Sequence, residues 1–131
     1  MNRKRTAVVP FSASITLGTN LGYTEKTFNE KQLIDFIQQY QDNLIEEINV
    51  HLSVCLSECK IILSGQAEPH YRLSFINYPK FPLPHEMLRN EIEALAKALM
   101  KEFRQNRIVL EFPDETVMLE EKEDVDPRIR T

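Results

Sequence analysis

Apolar and polar positions alternate strictly at the start of the chain: Phe11, Ala13, Ile15 and Leu17 against Ser12, Ser14 and Thr16. That period of two predicts a strand with one buried and one polar face. After a loop over Gly18 to Gly22 the period lengthens. Asn29 and Gln32 stand at the spacing of a capping box, and Leu33, Ile34, Ile37, Leu44, Ile45 and Ile48 form an apolar helical stripe behind a Gln-, Asp- and Glu-rich outer face. Val50, Leu52, Val54 and Leu56 then alternate with His51, Ser53 and Cys55 as a second strand. Lys60 to Leu63 reads as a short apolar strand ended by Ser64-Gly65.

The plan then recurs. Tyr71, Leu73 and Phe75 alternate with Arg72, Ser74 and Ile76, and prolines 79, 82 and 84 force extended or turn backbone. Pro84 suits the first turn of a helix carrying Leu88, Ile92, Leu95, Ala96, Leu99 and Phe103 on one side. Ile108 to Phe112, a turn at Pro113-Asp114-Glu115, and Thr116 to Leu119 complete the second half. A shift of 58 positions superposes the halves without a gap: Ile15 falls on Leu73, Ile37 on Leu95, Leu52 on Leu110 and Pro69 on Pro127. Identities are few, so the match is one of pattern.

The expected fold is α/β (α+β): two pseudo-symmetric β-α-β-β halves in one mixed sheet with two helices on one face. Residues 1–10 form an N-terminal tail, residues 11–119 a single domain with pseudo-repeats 11–65 and 69–119, and residues 120–131 an acidic, flexible C-terminal tail. Right-handed crossovers make the two strands of each half parallel. The helix-covered set is Ile15, Leu17, Leu52, Val54, Leu73, Phe75, Leu110 and Phe112. The opposite face holds Ser14, Thr16, His51, Ser53, Cys55, Arg72, Ser74 and Glu111 and is left bare, as an oligomer interface or an enclosed polar channel would require.

Bulk properties narrow the function. With 42% hydrophobic and 27% charged residues the chain is not disordered throughout, and a net charge of −4 with scattered Lys and Arg argues against nucleic acid as a partner. No window approaches the 18 apolar residues that would make a membrane span, and no apolar signal core follows Arg5. Cys55 and Cys59 fit a reducing compartment, so a cytoplasmic protein is expected. Three glycines cannot build a phosphate loop, and Cys55, Cys59 and His51 fall short of a zinc site. No cofactor and no metal is expected.

Two β-α-β halves of about 58 residues, the string Ser14-Ile15-Thr16-Leu17-Gly18-Thr19-Asn20, the segment Asn49-Val50-His51, and Glu68-Pro69 leading into Leu73 to Lys80 together resemble the tautomerase superfamily, which includes macrophage migration inhibitory factor. The resemblance implies a homotrimer whose sheets enclose a polar channel, with a hairpin strand extending the neighbour's sheet. It also implies a subunit-boundary pocket lined by Tyr78, Val109 and Glu111, with Lys80 and Arg72 holding a small anionic ligand. The superfamily's chemistry needs a free N-terminal proline as general base. Here the matching position is about Ala13, and the nearby Pro10 is an internal imide without a basic nitrogen.

Glu111 is thus the one candidate catalytic residue, as a partly desolvated carboxylate base, against the plainer expectation that it pairs with Arg72 or Arg107. His51, Ser53 and Cys55 share a face at steps of roughly 7 Å, too long for a nucleophile–base hydrogen bond. The leading expectation is therefore a non-catalytic, tautomerase-like homo-oligomeric binding or structural module, with enzymatic activity left open and leaning against. A small enzyme of the same fold acting on a keto or carboxylic acid is one alternative. A ferredoxin-like regulatory or assembly domain is another: in that fold a further strand separates the two strands of each half, and periodicity does not distinguish the two sheet orders.

Overall fold

A computed structural model describes residues 2–121. The elements run β1 (Ser12–Gly18), α1 (Glu30–Ile48), β2 (Cys55–Leu63), β3 (Gln66–Ile76), α2 (His85–Glu102), β4 (Arg107–Glu111) and β5 (Thr116–Glu120). They form an α+β fold with one five-stranded sheet in the order β2-β3-β1-β4-β5. Among the described residues no helix is long and apolar enough to cross a membrane. Of the acidic stretch expected as a tail, Glu120 closes β5 and residues 122–131 lie outside the described residues.

The sheet is antiparallel throughout and not mixed. β1 and β2 do run in the same direction, as a crossover demands, but β3 lies between them, so every hydrogen-bonded neighbour points the other way. This is the sheet order of the ferredoxin-like alternative, with β5 added as a hairpin strand at the edge beyond β4.

The second correction concerns β2. Residues 49–54 are not a strand; β2 starts at Cys55 and runs unbroken through Leu63, pairing with β3 from Cys55↔Ser74 to Leu63↔Gln66. The alternation of Val50, Leu52 and Val54 reflects burial without a ladder. Val50 and Leu52 are buried, and the Leu52 carbonyl accepts a hydrogen bond from Gln41 Nε2 at 2.8 Å. The 58-residue shift thus lays the strand β4 over irregular backbone, while the first strand and helix of each half coincide and β2 falls over β5.

α1 begins as its sequence foretells: Asn29 Oδ1 accepts from the Gln32 N–H at 2.9 Å while Gln32 Oε1 accepts from the Asn29 N–H at 2.8 Å. Its apolar stripe is split. Leu33, Ile37 and Leu44 are buried, whereas Ile34, Ile45 and Ile48 lie exposed along one flank. α2 buries six residues, Leu88 to Met100, and ends with Arg104 in the left-handed region (φ 50°) and the Gln105 N–H bonded to the Met100 carbonyl. This is the double-back of a Schellman-type terminus. Ile15, Leu73, Phe75 and Leu110 from the covered sheet face meet Leu33, Leu88, Ile92 and Leu95 in the core, each contributing roughly 1.5–3 kcal/mol by burial.

Candidate functional site

Three chain reversals meet at one end of the sheet. β1 ends at Gly18, paired with His70 of β3; the loop from Thr19 to Asn29 leaves there; and the turn after α2 delivers Gln105 just before β4 begins. Together they enclose a polar cavity of about 600 Å³.

Gln105 braces this end. Its buried side chain accepts a hydrogen bond from the Gly18 N–H (3.2 Å) through Oε1 and donates from Nε2 to the carbonyls of Asn20 (2.8 Å) and Phe103 (3.0 Å). One amide therefore holds β1, the loop and the helix end in register. The loop is stiffened by its own bonds: Leu21 N–H to Lys26 O at 2.8 Å, Asn20 Nδ2 to Thr24 O at 2.9 Å, and Phe28 N–H to Thr19 O at 3.0 Å. Gly22 turns the loop with φ 62°, a conformation that side chains rarely adopt.

His70 lines the same cavity. Its Nδ1 lies 3.0 Å from the Glu68 carbonyl oxygen, and a carbonyl only accepts, so Nδ1 carries the proton. In the neutral ring this leaves Nε2 as a hydrogen-bond acceptor or base. Nε2 faces Gly18, where an added Cβ would sit 3.6 Å away. Among the described residues the other charged groups that line the cavity are Glu25, Glu68 and Arg107, and Arg107 pairs with Glu120 at 2.9 Å.

The residues singled out from the sequence fall in two other places. Arg72 and Glu111 lie on the uncovered sheet face, 3.6 Å apart across β1, both side chains about half exposed. Glu111 thus keeps contact with water as well as with its cation. Tyr78 and Lys80 line a second cleft with Lys4, Thr6 and Pro79. His51 does not share a strand face with Ser53 and Cys55; its ring stacks on Phe81 at 4.4 Å. Cys55 and Cys59 are free thiols, and no cluster of metal-binding side chains occurs among the described residues. Sequence reasoning missed Gln105 and His70. A glutamine in a helix-ending turn carries no pattern of its own, and His70 stands alone in the sequence because its neighbours arrive from β1 and from the end of α2.

Neither a known family pattern nor a curated protein sequence matches the chain. Solved structures do. The chain is similar to a phage SAM lyase in complex with S-methyl-5'-thioadenosine, with a TM-score of 0.67 and 18% identity over 95% of this chain and 100% of that one. It is also similar to a phage SAM lyase in its apo state, with a TM-score of 0.66 and 18% identity over 88% and 92% of the two chains. At that identity the likeness establishes the fold alone, a small α+β architecture shared with those chains.

Proposed function

We propose that the chain is a small enzyme acting on a sulfonium nucleoside of the SAM kind, with the polar cavity at the end of β1 as its site. The observation that carries this reading is the agreement of the whole fold with a SAM lyase holding a thioadenosine ligand. The charge of the cavity supports it. A sulfonium with an amino group is cationic, and among the described residues Glu25 lines the cavity as a carboxylate counter-charge. The volume of about 600 Å³ lies within the range of roughly 300–1,000 Å³ usual for small-molecule sites.

When a carbon–sulfur bond of SAM breaks, the electron pair stays on sulfur, and loss of the amino-acid arm leaves the neutral thioether S-methyl-5'-thioadenosine. In this reading the arm leaves by elimination. His70 Nε2 takes the proton from the arm's β-carbon, the C–H electron pair becomes the β,γ double bond of an unsaturated amino acid, and the carbon–sulfur pair departs on sulfur. Gln105 keeps the mouth open by holding Gly18 and Asn20 back. The test is incubation with SAM followed by chromatography for the thioether, with calorimetry for its binding. Turnover is expected, and His70→Ala should lower it about a hundredfold or more, the usual weight of a general base. Binding without turnover would return the chain to a non-catalytic binding module; neither binding nor turnover at millimolar ligand would reject the site.

The uncovered sheet face supports a homo-oligomer, a trimer by preference. It carries exposed Ile61, Leu63, Ile76 and Met118, aliphatic side chains of the kind that mark an interface.

A further inference from the structure

A second cleft, of about 550 Å³, lies between the N-terminal segment and the Pro-rich loop after β3, lined by Lys4, Thr6, Tyr78, Pro79 and Lys80. Its walls are clamped by a buried side chain. Asn77 Oδ1 accepts from the Leu83 N–H at 3.0 Å, Asn77 Nδ2 donates to the Val9 carbonyl at 3.4 Å, and the Asn77 N–H donates to the Phe11 carbonyl at 3.3 Å. Prolines 79, 82 and 84 restrict the loop further.

Three rings stand nearly parallel beside this cleft. His51 lies 4.4 Å from Phe81 at 13°, and Tyr78 lies 6.2 Å from Phe81 at 19°. Tyr78 is the member of the pile that lines the cleft, and it is 42% exposed. Two ammonium groups, Lys4 and Lys80, share the lining, and among the described residues no carboxylate does. An aromatic platform flanked by two cations is the chemistry that takes a flat ring joined to an anion.

We propose that this cleft binds a nucleoside monophosphate, its base stacked on Tyr78 and its phosphate held between Lys4 and Lys80. The site is distinct from the polar cavity, which shares none of these residues. The cleft is open to solvent and of a size for one nucleotide, and the overall charge of −4 is unsuited to a longer polyanion.

The experiment is calorimetric titration of the full chain with AMP, adenosine, inorganic phosphate and a short single-stranded oligonucleotide. AMP is expected to bind best. Tyr78→Ala and Lys80→Gln should each weaken it about tenfold, the scale of a lost base stack or phosphate contact, while His70→Ala in the other cavity leaves it unchanged. Both side chains lie on an exposed loop, so these variants should keep the wild-type fold, checked by a cooperative unfolding transition. AMP binding that ignores Tyr78→Ala and Lys80→Gln, that falls with His70→Ala, or that is absent at millimolar ligand overturns the proposal. So does phosphate alone binding as tightly as AMP, or the oligonucleotide binding more tightly.

Discussion

Gln105 joins three segments that sequence separates widely, and it does so without charge. Truncating it leaves the buried Phe103 carbonyl and the part-buried Gly18 N–H and Asn20 carbonyl without this partner. Gln105→Ala should therefore lower stability by about 2 kcal/mol or more, read as a lower urea midpoint, since a stranded buried group costs roughly 1–3 kcal/mol. Gln105→Glu should do no better: it keeps an acceptor for Gly18 but turns a carboxylate toward two carbonyl oxygens. At this scale the sequence was legible wherever a residue obeyed a local rule, as with Asn29 and Gln32. It was silent about Gln105 and His70, whose surroundings are assembled by tertiary contacts from distant strands.

Elements show the same division. The capping box of α1 is a local signal and it formed; α2 starts at Pro84, which makes no side-chain cap bond. Asn29→Ala should cost about 1 kcal/mol in chemical denaturation, with Asn29→Ser retaining most of it. The covered sheet face was also legible: Ile15, Leu17, Leu73, Phe75 and Leu110 are all buried where alternation placed them. The start of β2 was not. Val50 and Leu52 alternate with polar neighbours because both side chains pack into the core, and a period of two records that burial whether or not a partner strand is hydrogen-bonded alongside. The exposure of Ile34, Ile45 and Ile48 was hidden for the related reason that a helical stripe gives a direction but not the width of the surface it meets.

For the whole molecule, the uncovered face leads to an expectation about mass. Light scattering coupled to size exclusion should return a species near three times the 15.3 kDa chain, and Met118→Lys, which sets a charge among the exposed aliphatic side chains, should shift it toward the single chain. A wild-type protein that stays at the single-chain mass at high concentration removes the oligomer and leaves the ligand proposals standing. Sheet order carries a different consequence. β1 lies at the centre, yet its partners come late: Ser14 pairs with Ser74 on one side and with Glu111 on the other. As the chain leaves the ribosome, its first strand must wait with both edges open until β3, and then β4, has been made. Non-local pairing of this kind slows folding and ties both halves into one cooperative step. A fragment ending before Gln105 would keep β1 open on its β4 side and lack the Gln105 brace, so the first half of this pseudo-symmetric chain is not a small version of the whole.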